Sequence, residues 1–291
     1  MVNDPEEMTM RTKTNAPLIL AGALLFLAVG FSAACDFMDE GGFDDMFGGK
    51  EYTEEFSKTL PLKAGDGFSL RNTNGFVRVT TWNRDEVEIK AKKIARRREE
   101  DLQRVKIEVD ASFSSVKVDT IYEKYRNIRV KVDYEVKVPE GVRLEMVRST
   151  NGDVEIIGRI ADMKAGTTNG DIRVEGGDGR IDLSTTNGTI RGRNLRGSVT
   201  ADTTNGSIHL ELDEVRNDIR ADTTNGSVNL RLGGQVNAEF SARSTNGSIT
   251  VDFPVTIQGT VSSRHRIQGR IGTGGPMIEL ETTNGSIRVN R

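Results

Sequence analysis

The chain has 291 residues, with 40 Lys and Arg against 43 Asp and Glu and a formal charge of −3. That near balance, with the two signs interspersed, excludes an electrostatic case for nucleic-acid binding. A single cysteine excludes an internal disulfide, and 31 Gly, 6 Pro and 35% hydrophobic residues suit a thin, surface-rich coil better than a thick globule.

In chain order, the first element is an export signal or anchor, residues 1–34. Residues 16–34 carry no charge and follow Arg11 and Lys13, which is the order of a basic n-region and an apolar h-region. The run ends Phe31-Ser32-Ala33-Ala34-Cys35, and Cys35 is the one cysteine. Small residues followed by Cys resemble the lipobox of bacterial lipoproteins, which implies cleavage before Cys35 and its lipidation. Ser32 departs from that motif, which usually has Leu there. An uncut helix is compatible with the same run, since about 20 apolar residues span a bilayer. Simple secretion after cleavage at Ala34 is compatible too. All three place the folded part outside the cytoplasm, in the periplasm or at the cell surface, and a lone thiol in an exported chain favours lipidation. Asp4, Glu6 and Glu7 are unusual in a signal, and Met8 or Met10 offer later starts. Residues 35–50 are acidic and Gly-rich and read as a flexible tether.

Residues 51–140 form a less regular β region that can hold the first coils. Phe68-x-Leu70-x-Asn72-Thr-Asn-Gly, Val87-x-Ile89, Val105-x-Ile107-x-Val109, Val116-x-Val118, Ile128-x-Val130-x-Val132 and Tyr134-x-Val136-x-Val138 alternate as strands do. Arg96 to Gln103 is compatible with a short helix.

From residue 141 to 291 the pattern is a β-solenoid. Thr-Asn-Gly recurs as Asn151-Gly152, Asn169-Gly170, Asn187-Gly188, Asn205-Gly206, Asn225-Gly226, Asn246-Gly247 and Asn284-Gly285, with an earlier copy at Asn74-Gly75. The steps from Asn151 are 18, 18, 18, 20, 21 and 38 residues. A period of 18–21 residues that keeps one turn in register marks stacked coils. Before each turn the chain alternates, as in Val199-x-Ala201-x-Thr203, and after it too, as in Ile208-x-Leu210. Each repeat is therefore strand, Asn-Gly turn, strand and second turn, with one face inward. Asn-Gly suits a turn that needs positive φ, and stacked Asn amides can bond along the axis as a ladder. The double step of 38 predicts a degenerate coil with its turn at Gln268-Gly269. The last strand, residues 286–290, has no cap following it, so an open edge there could recruit a partner or a second copy unless residues 51–140 fold back over it.

The carrying residues Asn72-Thr-Asn-Gly-Phe-Val-Arg-Val, Trp82-Asn-Arg-Asp-Glu-Val, Val132-Asp-Tyr-Glu-Val-Lys-Val-Pro and the later Thr-Thr-Asn-Gly-Ser-Ile copies resemble the bacterial "putative adhesin" domain family, a domain of unknown function. The resemblance covers roughly 51–291 and implies an all-β solenoid outside the cytoplasm.

Candidate chemistry is sparse. Asp153 and Asp171 follow the turn in successive copies, and Asp202 and Asp222 precede it in two others. Stacked carboxylates could bind a cation or share a proton, but each pair copies its repeat, whereas a catalytic site breaks one. His209 and His265 are not spaced as a metal pair, and no nucleophile motif or phosphate loop is present. Rows of Thr suit ice binding only when alternate residues point outward, and Thr203-Thr204 and Thr223-Thr224 are adjacent. Ser262 to Arg270 breaks the repeat with Arg264, His265, Arg266 and Arg270 and is a candidate ligand patch. The sequence thus points to a non-enzymatic adhesion or scaffold module of the cell envelope, with no catalytic residue, metal or cofactor. Its expected partners are a membrane, an envelope protein or glycan and, by self-association, a second copy. The alternative is a β-helix enzyme acting on envelope or extracellular polysaccharide.

Overall fold

The computed structural model describes residues 50–124, 128–257 and 265–291. The alternation becomes strands with one buried face. Ser198–Asn205 buries Val199, Ala201 and Thr203 and exposes Asp202, Thr204 and Asn205. Strands preceding the Asn-Gly turns line up in a 12-stranded sheet, and strands following them in an 11-stranded sheet. Each coil thus has two sides, and the chain is all-β with a solenoid core, as its repeats predict.

Stacking keeps equivalent positions side by side. Ile190, Ile208 and Val228 form one inward row, and Ala165, Leu183, Ala201 and Ala221 another. Parallel neighbours in such a sheet sit about 4.8 Å apart, so apolar rows run unbroken along the axis. Full burial of an Ile or Val contributes roughly 1.5–3 kcal/mol, and Ile208, Val228 and Ile190 are all fully buried.

Spatial order departs from chain order at both ends. The Asn74 coil, Gly67–Arg71 with Val77–Trp82, lies between the Asn151 coil and a coil made later in the chain by Ser115–Tyr122 and Val130–Pro139. Val130–Pro139 is one strand, merging the two alternating runs around Val132 and Tyr134. Antiparallel strands then cover this end: Glu86–Ala95 and Tyr52–Pro61 extend one sheet, and Val105–Ala111 extends the other. The charged run expected to be helical contributes a 3-10 helix at Glu99–Arg104, with Leu102 buried.

At the other end the Asn284 coil, Met277–Asn284 with Ile287–Asn290, lies between the Asn225 and Asn246 coils. This overturns two expectations. Gln268-Gly269 is not the turn of a hidden coil, because Arg266–Ile271 runs antiparallel to both Ala238–Asn246 and Val255–Ile257 on the outer edge. The 38-residue step is instead an excursion that returns to fill an interior place. The strand Ile287–Asn290 is likewise not an open edge, since Val228–Leu232 and Ile249–Val251 flank it. Phe240 and Phe253 are buried at this end of the core.

Candidate binding edge

The Asn-Gly turns converge on one edge of the stack. Asn74, Asn151, Asn169, Asn187, Asn205, Asn225, Asn284 and Asn246 form a single ladder in that spatial order. Each Nδ2 from Asn151 onward donates to the Oδ1 of the neighbour before it at 2.7–2.9 Å. The ladder runs roughly 35 Å at one step per coil. At its Asn74 end, Tyr122 carries a hydroxyl that donates to the Val130 carbonyl at 3.1 Å, and burial pushes its pKa up to about 12 against hydrogen bonding from Asn74.

Behind the ladder, the first Thr of each repeat points inward and satisfies a backbone oxygen of the coil before. Thr167, Thr185, Thr203, Thr223 and Thr282 donate to the carbonyls of Gly152, Gly170, Gly188, Gly206 and Gly226 at 2.8–3.1 Å. Ser244 does the same to Gly285 at 2.9 Å. A buried hydroxyl needs such a partner, and the repeat supplies one in each of these coils.

Only some of the turn glycines have the cause expected. Among the described residues only Asn194 has positive φ without being glycine, so no ladder Asn occupies that region. Gly75, Gly152 and Gly170 have positive φ, whereas Gly206 and Gly226 do not. At Gly206 a Cβ would collide with the Gly188 carbonyl, and at Gly226 with the Gly206 carbonyl. Close approach of successive coils, rather than turn conformation, demands glycine there.

Two outward rows flank the ladder. The Thr before each Asn is exposed from Thr186 through Thr204, Thr224 and Thr283 to Thr245. On the other side, Ser207 accepts the Ser227 N–H at 3.1 Å and Ser227 accepts the Ser286 N–H at 3.3 Å. Earlier coils use carboxylates at that position: Asp153 accepts the Asp171 N–H, and Asp171 accepts the Thr189 N–H, both at 2.8 Å, while Arg191 also pairs with Asp171. Asp153 and Asp171 therefore clamp coil to coil. From Asn187 to Asn246 the edge carries only hydroxyls and amides. The outward Thr row is legible in hindsight from alternation alone, since Thr203 inward puts Thr204 outward.

Elsewhere the candidates separate. Asp202 and Asp222 are neighbours in adjacent coils on the open face of a sheet. Burial, and then the Asp222 charge, hold the Asp202 carboxyl above the usual carboxylate range despite Arg220. His209 is exposed, as expected, with its Nδ1 3.2 Å from Asn229 Nδ2; partial burial and then Arg191 lower its pKa. A shallow depression of about 370 Å³ includes His209, Arg191, Arg193, Glu211 and Arg231. Its arginines are already engaged, Arg191 with Asp171 at 2.8 Å, and Arg193 and Arg231 with Glu211 at 3.8 and 3.7 Å. His265 lies with its Nδ1 3.0 Å from the Gly247 carbonyl, and Arg270 pairs with Glu239 at 2.9 Å. The rest of the Ser262 to Arg270 patch, up to Arg264, lies outside the described residues, as do Cys35 and the 16–34 run. Among the described residues no three His, Cys, Asp or Glu side chains converge as a metal site.

Fold and edge together define a two-sided β-solenoid domain built from Thr-Asn-Gly coils. The chain belongs to the Toastrack DUF4097 family, which it matches over residues 59–290. It is similar to a "putative adhesin" from Bacteroides fragilis at 13% identity, with a TM-score of 0.44 over 82% of this chain and 97% of that one. It is also similar to a "putative cell adhesion protein" from Clostridium sporogenes, at 10% identity and a TM-score of 0.32 over 81% and 99% of the two chains. A third similar structure, from Parabacteroides distasonis, is described as a "putative lipid binding protein", at 9% identity and a TM-score of 0.38 over 81% and 96%. No curated protein matches the chain.

Proposed function

We propose that this protein is a non-enzymatic contact module of the cell envelope, held at a membrane outside the cytoplasm through lipidated Cys35 or an uncut 16–34 helix. The observation that carries the reading is the Asn ladder along eight stacked coils, flanked by exposed Thr in five of them and by a hydroxyl or carboxylate residue after the turn in seven. Catalysis needs unlike groups brought to one point, and this edge repeats like groups along a line. The carboxylates nearest to an acid–base pair, Asp202 and Asp222, stand on an open sheet face, and Asp222 is 3.7 Å from Arg220. Such an arrangement suits contact with an extended envelope component, protein or glycan, through many weak equivalent bonds.

The test is retention of the 48–291 unit, which is compact on its own, on isolated envelope fractions. Retention should be lost when Thr204, Thr224 and Thr283 are all replaced by Lys while the circular dichroism spectrum is kept. Cleavage of an envelope polysaccharide by the parent protein, abolished by Asp202→Asn or Asp222→Asn, would establish the enzymatic alternative instead.

A further inference from the structure

The place filled by the Asn284 coil is flanked by two coils that precede it in the chain, Asn225 and Asn246. We propose that copies of this chain exchange that coil, each inserting its residues 277–290 between the Asn225 and Asn246 coils of the other.

Three observations carry the exchange. First, the place is shaped for an incoming coil. Leu280 lies between Ala221 and Ala242, as Leu183 lies between Ala165 and Ala201. Direct stacking of the Asn246 coil on the Asn225 coil would put Ala201, Ala221 and Ala242 in succession and leave a void where Leu280 now packs. Second, the bonds that hold the coil go to its flanking coils. Asn284 donates to Asn225 at 2.7 Å and accepts from Asn246 at 2.8 Å, Thr282 donates to the Gly226 carbonyl at 2.8 Å, and Ser244 donates to the Gly285 carbonyl at 2.9 Å. Ile278, Leu280, Ile287 and Val289 are buried in the same two interfaces. Every one of these contacts is recovered when another copy supplies the coil, which is the condition for exchange of an identical element at low cost. Third, the connection permits it. Residues 252–276 could reach roughly 80 Å if extended, which requires Arg266–Ile271 to leave Ala238–Asn246 and Val255–Ile257.

Chain order sets the competition. Both flanking coils are synthesised before residue 277, but the Asn246 coil pairs with the stack only through the Asn284 coil, so the Asn225 coil keeps an open edge until an occupant, its own or another copy's, arrives. The tethered coil has a high effective concentration, so the closed monomer dominates in dilute conditions and exchange grows with the local density of copies.

The test uses two differently tagged full chains, co-expressed, both with Cys35→Ser to remove the native thiol. One carries Asp222→Cys and the other Glu281→Cys; these outward positions face each other across the two coils, at a neighbour distance within disulfide reach. A disulfide-linked heterodimer is expected on a non-reducing gel, at a fraction that rises with expression level. A single chain carrying both substitutions should close its disulfide within the monomer. The proposal is overturned if that single chain cross-links while the mixed chains do not. It is equally overturned if the single chain fails to cross-link, because the inserted order is then wrong. Equal heterodimer from Asp182→Cys paired with Glu281→Cys would also overturn it, since Asp182 lies several coils away and the links would be random.

Discussion

At the scale of single residues, the solenoid divides neighbours in sequence into those that hold the core and those that do not. Ile208 is fully buried between Ile190 and Val228, and the adjacent His209 is exposed. Ile208→Ala should cost about 2–5 kcal/mol through the cavity it leaves, and His209→Ala less than about 0.5 kcal/mol, both read from urea unfolding. Gly206→Ala should cost on the order of 1–3 kcal/mol, because its methyl must push the Gly188 carbonyl of the coil before. The inward register was legible in the sequence, since period-2 alternation fixes which side chains share a face. The reason for glycine at Gly206 was not, because the chain's own turn gives no hint of how near the next coil will come.

At the scale of the element, the two hydrogen-bond rows of a coil should differ in weight. Thr203 is buried and donates to the Gly188 carbonyl, whereas Asn205 is exposed to water that can replace its partners. Thr203→Val should therefore destabilise by about 1–3 kcal/mol and Asn205→Ala by less, in the same unfolding assay. The carboxylate row makes a separate prediction with pH. Burial and Asp222 raise the folded-state pKa of Asp202, so the native state holds more protons than the unfolded chain between the ordinary Asp pKa and that raised value. Through this group, stability rises as pH falls through that window. Asp202→Asn should accordingly raise the urea midpoint at neutral pH, and the difference from the parent should shrink once the pH is below both values. Period and strand content of each coil were plain from the sequence. Coil order was not, because Thr-Asn-Gly lets any coil pair with any other and so carries no address. The only signal was volume: Ala221 and Ala242 each ask for a large neighbour, and Leu280 supplies it to both.

At the scale of the whole molecule, the described residues are held by two continuous sheets whose ends are covered mainly by antiparallel strands. Attachment is a separate matter, which the proposed function rests on Cys35 or on an uncut 16–34 helix. Cys35→Ala should release the protein from the membrane fraction or leave an unprocessed precursor, read by fractionation and intact mass. Unchanged attachment and unchanged mass would favour the uncut helix. The inserted Asn284 coil has a mechanical consequence. Tension applied beyond residue 290 does not reach an edge strand that can peel one bond at a time. It reaches strands flanked on both sides in both sheets, so two seams must slide together and their bonds fail nearly at once. Like a tenon seated between two cheeks, the coil resists being drawn out lengthwise far more than an outermost coil would, and a force–extension trace pulled from this end should begin with one high rupture rather than a series of low ones.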